Sequence, residues 1–314
     1  MNASIAVVGS LNMDLVIRSP HIPRPGETVI GGEFHTVPGG KGANQAVAAA
    51  RLGAQVSMVG RVGHDAFGGV LLENLDADGI DHTFVIQDGE AATGVALIVV
   101  DDNGENSIVV SSGANMRLSP ADVEAAEAVI AAAALLILQL EVPLESVIRS
   151  AELARTHGVR VVLNPAPARP LPARLLSMID VLVPNETEAA LLADLPVGTQ
   201  DEAQKAAEAL LRSGVGAVIL TLGERGALPA GGGETRVYSA FDVQPVDTTA
   251  AGDAFVAGLA VALAEGKGLS EAVRWGNAGG GLAATKLGAQ PSLPTRGALE
   301  RLLSDGSLKS LPGD

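Results

Sequence analysis

No cysteine occurs among the 314 residues, so the chain has neither a disulfide framework nor a metal site built on thiolates. Aromatic side chains make up only 2%, against 47% hydrophobic residues in all. The core must therefore be assembled from Ala, Val, Leu and Ile, which suits a sheet flanked by closely packed helices. A basic run is also missing, and the formal net charge is −15. That balance argues against nucleic acid or an anionic membrane as main partner. An anionic small molecule stays compatible where helix N-termini, a lysine and a divalent cation supply positive charge locally. The longest apolar run, Ala128 to Leu138, is too short to cross a bilayer, and no basic leader or cleavage signal precedes the first apolar run at Ile5. A soluble, cytoplasmic protein is expected. The common nucleotide and hydrolase fingerprints are absent too: there is no GxxxxGK followed by Ser or Thr, no GxGxxG after the first apolar run, no HExxH and no GxSxG.

Short apolar runs alternate with amphipathic stretches. Strand candidates begin at Ile5, Gln55, Ala134, Val159, Asp180 and Gly216, and helical patterns lie between most of them, as at Ser146 to His157 and Asp201 to Ser213. Unbroken Val/Ile/Leu runs joined by helical crossovers predict parallel strands buried on both faces. The fold class is therefore α/β: a doubly wound, mostly parallel sheet flanked by helices, forming a single domain over residues 1–314. Two regions break the pattern. Gly94 to Val100 and Asn106 to Ser112 are β-rich and joined by DDNGE, whose Asn103-Gly104 pair is a tight-hairpin signal, and a second β-like stretch spans Glu27 to Val37. Neither carries a crossover helix. Both read either as decorative hairpins or as a small antiparallel β lid, formed by about 12–38 and 91–112. A last helix is expected over roughly Arg296 to Leu303, followed by a short polar tail.

Asn12, Glu141, Asn185 and Gly223 each follow an apolar run, where ligands of open α/β sheets sit, and this points to one shared crevice. In SLNMD, Asn12 and Asp14 share one side if the segment is extended, an amide and a carboxylate suited to hydroxyl groups; a plain turn is the other reading. In PGGKGANQA, Gly39 and Gly40 allow close backbone approach and Lys41 and Asn44 enter a helix, either as a polar site or as a glycine turn before that helix. In PNETE, Asn185 and Glu188 have the spacing of a capping box, and equally of an amide near phosphate with a carboxylate holding hydrated Mg²⁺. TLGERG, Thr221 to Gly226, either wraps a nucleotide or turns into the next strand. The glycines of Ser270 to Gly288 (Gly276, Gly279, Gly280, Gly281) sit in a helical pattern, where each costs about 1 kcal/mol against alanine, and so require a close approach, either by a flat ligand or by another backbone. DTTAAGDAF leads into a helix starting near Ala251, because Val256, Leu259, Ala260 and Leu263 repeat at helical spacing. Asp253 is then an ordinary first-turn carboxylate, or a base beside an anion site made by the helix N-terminus.

PGGKGANQAVAAARLG with VGHDAFG downstream, and DTTAAGDAFVAG near the C-terminus, resemble the two signatures of the phosphofructokinase-B-type carbohydrate kinases. Within that family the likeness is to the members that phosphorylate ribose, through SLNMD, TGVALI, LQLEVPLESV, LNPAPA, PNETEA, TLGERG and LGAQPS in order along the whole chain. The resemblance implies ATP-dependent phosphorylation of ribose at its 5-hydroxyl. It makes Asp253 the base and the amides around Ala250, Ala251 and Gly252 the anion hole. Asn12, Asp14, Gly40, Lys41, Asn44 and Glu141 would hold the sugar together with Asp253. Asn185, Thr221, Leu222, Gly223, Glu224, Arg225, Gly226, Gly252 and Asn277 would contact ATP, and Glu188 would organise Mg²⁺ through its waters. Activation by K⁺ is implied at Asp247, Thr249, Ala283, Lys286, Gly288 and Ser292, mostly through backbone carbonyls. A homodimer formed through the lid is implied as well. The sequence departs from the pattern at Asn277, where such kinases often have His, at Pro229, which implies an edge strand, and in the glycine-rich GNAGGG. Kinases of fructose, 2-keto-3-deoxygluconate or adenosine in the same family are the alternatives, and a non-catalytic sugar or nucleotide sensor is the alternative outside catalysis.

Overall fold

Side chains that are apolar on both faces of a strand require cover on both faces, and this chain supplies it. The computed structural model describes residues 3–231 and 236–306. In chain order the strands are β1 (Ser4–Val8), β2 (Asn12–Arg18), β3 (Phe34–Gly39), β4 (Gln55–Gly63), β5 (Asp81–Asp88), β6 (Gly94–Val100), β7 (Asn106–Ser111), β8 (Leu135–Leu138), β9 (Arg160–Leu163), β10 (Val181–Leu182), β11 (Ala217–Thr221) and β12 (Ala227–Ala230). Eight of them form one sheet in the order β12-β11-β10-β9-β8-β1-β4-β5, parallel throughout except for the β11–β12 pair at one edge. All six apolar runs found in the sequence lie in this sheet. β5, at the other edge, was not anticipated, because its alternating buried and exposed residues lack a continuous apolar run. Pro229 lies in edge strand β12, opposite Ile219, as its missing N–H requires.

Successive strand residues face opposite layers. Ile5, Val7 and Ile137 pack with the helices Lys41–Arg51, Ala251–Ala264 and Leu269–Ala283, whereas Ala6, Val8, Leu136 and Leu138 pack with the helices Leu144–Thr156 and Gln200–Arg212. The Gln200–Arg212 helix shows how locally such an element is specified. Thr199 and Glu202 close a capping box at its start, and Ala203, Ala206, Ala207 and Leu210 form its buried stripe. The Leu269–Ala283 helix answers the question its glycines posed. A Cβ on Gly279 would stand 2.6 Å from the carbonyl oxygen of Ala254 and one on Gly280 3.0 Å from that of Ala251, so these two serve the contact with another helix backbone, while Gly276 makes room for the Phe255 ring. The last helix is Arg296–Asp305, and the polar tail expected beyond it lies largely outside the described residues.

The smaller sheet has the order β3-β2-β6-β7. Its two flanking pairs are antiparallel, and its central pair, β2 with β6, is parallel, with Asn12 opposite Gly94. β2 lies within the expected lid segment 12–38 and carries both Asn12 and Asp14. The β-like stretch from Glu27 is shorter than expected: residues 27–33 are irregular and β3 begins at Phe34, since Gly31 and Gly32 interrupt the pattern. The DDNGE hairpin forms. The Gly104 N–H donates to the Asp101 carbonyl (3.0 Å) and the Asp101 carboxylate accepts from the N–H groups of Asn103 and Glu105 (both 2.9 Å). No helix among the described residues is long and apolar enough to cross a membrane.

Candidate active site

β1 ends at Val8 and the chain turns directly into β2, which puts Asn12 and Asp14 beyond the carboxyl end of the main sheet. Asn12 is 4% exposed, and its Oδ1 accepts a hydrogen bond from Asn115 Nδ2 (2.7 Å). Asn115 is itself locked, since its Oδ1 accepts from Leu11 N and its Nδ2 donates to Leu11 O. The Asn12 amide is thereby oriented with its NH₂ group left for a ligand. Burial pushes the Asp14 carboxyl up to about 7, helped by the negative charges of Glu141 and Asp253 and opposed by Lys41.

β3 returns to the same place and passes into the Lys41–Arg51 helix through Gly40, which adopts φ 87°. A Cβ there would lie 2.7 Å from the Asn12 backbone nitrogen, so only glycine allows this turn to close on β2. Glu141 anchors the helix start: its Oε2 accepts from Lys41 N (3.0 Å) and from Ser10 Oγ, and Ser10 Oγ accepts from Gly42 N (3.2 Å). The Lys41 ammonium is held above its usual value first by Asp253, against its own burial, and further by Glu141, Glu188 and Asp14, so it stays charged.

Asp253 lies in the first turn of the Ala251–Ala264 helix and is 6% exposed. Its Oδ2 accepts from Asn44 Nδ2 and its Oδ1 from Gln45 Nε2, both at 2.9 Å. Burial pushes this carboxyl above the ordinary value, while Lys41 and the two amides pull it back and Glu141 adds to the rise. Asn44 Oδ1 is buried with no partner among the described residues, an acceptor suited to a ligand hydroxyl. The helix is entered through Ala250 at φ 58°, a left-handed conformation rare for a residue other than glycine. Of the three backbone amides expected to form the anion hole, that of Ala251 already donates to Thr248 O (3.1 Å). Ala250 and Gly252, the other two, both line the site's cavity.

A cavity of about 230 Å³ is lined by Lys41, Ala250, Gly252 and Asp253 on one side and by Asn185, Glu188 and Thr221 on the other. Asn185 and Glu188 form the capping box in full, each side chain bonded to the other's backbone N–H at 2.8 Å, and they line this cavity as well. The capping box of PNETE is formed, and its two side chains also face the cavity. Glu188 is 8% exposed, and desolvation raises its carboxyl. Among the described residues no cluster of three or more acidic or histidine side chains makes a metal cage.

The remaining expected residues are spread more widely. Thr221 N donates to Pro184 O (2.9 Å), which ties the end of β11 to Asn185. Beyond it Gly223–Arg225 is a single 3₁₀ turn, the Leu222 N–H donates to Gly226 O (2.8 Å), Glu224 is exposed, and Arg225 pairs with Glu186 at the surface. TLGERG is thus a hairpin turn into β12, with only Thr221 lining the cavity. Asn277 Nδ2 donates to the carbonyls of Tyr238 (2.9 Å) and Ser239 (3.2 Å), so its amide nitrogen holds a neighbouring loop. Asp247 joins two segments: its Oδ1 accepts from Thr249 N and Oγ1, and its Oδ2 from Gly288 N (2.8 Å). Burial works against its charge, but these bonds hold its carboxyl below the ordinary value. Ala284 O accepts from both Val246 N and Asp247 N, directly after Ala283 and two residues before Lys286, and Ser292 Oγ donates to Ala289 O. The expected K⁺ residues therefore come from two adjoining segments.

Ser10, Gln45 and Asn115 were missed. Ser10 and Gln45 stand inside the quoted motifs, but a hydroxyl or amide there carries no spacing rule. Asn115 lies in a short 3₁₀ segment with no pattern at all.

Residues 2–296 match the family described as pfkB family carbohydrate kinase. The chain belongs to this family, and it is a carbohydrate kinase. Within the family it is 45% identical over 296 residues to a ribokinase of Haemophilus influenzae, covering 94% of this chain and 97% of that one. It is 44% identical to a ribokinase of Bacillus subtilis, covering 96% and 99%. The structure of Arabidopsis thaliana ribokinase complexed with ribose and ATP superimposes with a TM-score of 0.89 at 36% identity, covering 96% and 99%. Phosphoryl transfer from a nucleoside triphosphate needs a divalent cation to neutralise the phosphates.

Proposed function

We propose that the chain phosphorylates D-ribose at O5 with ATP, giving ribose 5-phosphate. The observation that carries this reading is Asp253: a buried carboxylate held by two amides at a helix N-terminus, beside a charged lysine and a cavity. Asn12, Asp14, Lys41, Asn44, Glu141 and the backbone of Gly40 hold the ring hydroxyls. The 5-hydroxyl faces Asp253, which takes its proton as O5 bonds to the γ-phosphorus and the bond to the β,γ-bridging oxygen breaks. A carboxyl raised by burial is a stronger base than a free one, which suits this step. The Gly252 and Ala250 amides and the Lys41 ammonium face the charge on the moving group. Asn185, Thr221 and the 222–226 turn flank the nucleotide, and the backbone held by Asn277 closes the adenine side. Mg²⁺, with Glu188 reaching its waters, supplies charge neutralisation of the phosphates when bound. Four carboxyl groups, Asp14, Glu141, Glu188 and Asp253, act on Lys41, an excess of acidic charge that a cation relieves, which supports that assignment.

K⁺ is the proposed activator, held by the segments that Asp247 joins. The smaller sheet serves as the lid over the sugar, since Asn12 and Asp14 lie on its β2 strand. Phe34, Leu97, Ile108 and Val109 on this sheet are exposed, and a second copy covering them gives a homodimer. The site lies in a protein of the cytoplasm, where ATP is at hand. A coupled assay of ATP consumption with ribose, 2-deoxyribose, fructose, 2-keto-3-deoxygluconate and adenosine, in K⁺ or Na⁺, tests the reading. Ribose in K⁺ gives the highest kcat/KM; a higher value for fructose or adenosine reassigns the substrate. Tight ribose binding without ATP consumption makes the protein a sensor. Equal rates in Na⁺ and K⁺ remove the activator.

A further inference from the structure

We infer that Gln45 is a positioning residue for the Asp253 carboxylate, that Asn164 fixes which end of its amide faces that carboxylate, and that Gln139 holds the other end. The inference rests on Asp253 acting as the base.

Gln45 and Gln139 are both 0% exposed. Gln139 directly follows β8, whose residues Leu135–Leu138 are all buried. Two primary amides in such surroundings are costly unless bonded, and they are bonded to each other: Gln139 Nε2 donates to Gln45 Oε1 at 2.6 Å. Gln45 Nε2 then donates to Asp253 Oδ1 (2.9 Å) and to Asn164 Oδ1 (3.1 Å). The sense of Asn164 is set in turn, because its Nδ2 donates to Val183 O (3.0 Å).

A glutamine amide can be reversed end for end, and its partners choose the orientation. Two of them fix it: an ionised Asp253 only accepts, and Asn164 presents its oxygen because a backbone carbonyl holds its nitrogen. Gln139, whose Oε1 has no partner among the described residues, turns its NH₂ group to the Gln45 carbonyl and holds that end in place. Reversal would set the Gln45 carbonyl against the carboxylate. With Gln45 on Oδ1 and Asn44 on Oδ2, the plane of the Asp253 carboxylate is fixed from two sides. Asn44 leaves an acceptor free, whereas Gln45 does not line the cavity and bonds two residues that do, Asp253 and Asn164.

The charged groups that act on Asp253 come from several elements: Lys41 from its own helix–helix contact, Glu141 after β8, Asp14 on β2 and Glu188 on the opposite wall. Lys41 favours the carboxylate and the three acids disfavour it. The two amide donors add to the effect of Lys41.

The test uses the full chain with Gln139→Met, Gln45→Met, both together, and Asp253→Asn, measuring kcat, ribose KM and the pH profile of kcat. Gln139→Met, which touches neither Asp253 nor the cavity, should lower kcat about tenfold with ribose KM little changed; Gln45→Met should lower it roughly 10²-fold, the scale of a misplaced catalytic group. The double variant should match Gln45→Met alone, because Gln139 works through Gln45. In Gln45→Met and in the double variant the acid limb moves to higher pH, since a donor to the charged carboxylate is lost; in Gln139→Met it moves the same way by less, because that donor is kept but no longer held. Gln139→Glu provides a second route if Gln139→Met does not fold. Protonated, it donates to Gln45 and keeps activity; as pH rises and it ionises, activity falls relative to the parent.

Parental kcat and acid limb in Gln139→Met, costs that simply add in the double variant, or no such pH loss in Gln139→Glu would overturn the inference while Asp253→Asn is inactive. An Asp253→Asn protein with near-parental turnover overturns the base assignment and the positioning role with it.

Discussion

Asn44 Nδ2 and Asp253 Oδ2, 209 positions apart in the chain, lie 2.9 Å from each other in a buried hydrogen bond. This bond joins the first turns of two helices that pack against the same face of the main sheet. In the proposed function this contact joins the sugar side to the phosphoryl side, so displacement of either helix should disturb both.

Replacing Asp253 by Asn keeps the shape of the side chain and removes its basicity. Turnover should fall by about 10²–10⁴-fold, the usual contribution of a positioned base. Ribose affinity should stay within a few-fold, because the carboxylate acts on one proton rather than holding the ring. Steady-state kinetics with ribose binding measured by calorimetry checks both halves, and near-normal turnover rules out Asp253 as base.

Asp14 makes a stability prediction with a definite sign. Its carboxyl is raised from 3.8 to about 7 in the folded protein, so between those values the folded state binds more protons than the unfolded one. Stability contributed by this group is present at acid pH and is lost as pH rises through that window. Asp14→Asn should flatten the decline of Tm between about pH 4 and pH 7 and raise Tm at neutral pH in the absence of sugar. Glu188 and Asp253 shift in the same direction and leave a residual slope. An unchanged Tm profile would show that Asp14 is not desolvated as described. The same variant should bind ribose more weakly.

Two glycines separate packing from catalysis. Gly279→Ala forces a Cβ to within 2.6 Å of Ala254 O, next to Asp253, and overpacking of that kind costs about 1–3 kcal/mol. Thermal melting should fall accordingly, although Gly→Ala in an ordinary helix is stabilising. At Gly252 nothing lies within 4 Å of the added Cβ, and the residue lines the cavity. Gly252→Ala should therefore keep or slightly raise Tm while lowering kcat. Loss of fold at Gly252, or full stability at Gly279, contradicts the assignment of the two roles.

The lid surface makes a prediction about assembly. Val109, 63% exposed, and Leu97, 50% exposed, lie on adjacent strands of the smaller sheet. Changing both to Asp should convert a dimer to a monomer in sedimentation velocity without lowering Tm of the main body. A parent that sediments as a monomer overturns the dimer.

Much of this was legible along the chain because it depends on neighbours in sequence. The Val/Ile/Leu runs at Ile5, Ala134 and Gly216 announce buried parallel strands, and the apolar spacing after Asp253 announces a helix whose first turn can carry that acid. Asn185 and Glu188 announce a helix start by their three-residue interval. β5 escaped notice because a half-exposed strand lacks a continuous apolar run, and the sense of the β2–β6 pairing depends on where two distant segments leave the main sheet.

The composition and local periodicity of this chain settled its layers, its helix starts and the motifs that mark its family, since helical and strand patterns are short-range consequences of side-chain size and polarity. The partners of each polar group were settled by folding alone. Asn115 reaches Asn12, Ser10 reaches Glu141, and Asn277 turns its amide nitrogen toward the 238–239 carbonyls, because a buried donor or acceptor takes whichever partner the packed backbone brings within about 3 Å.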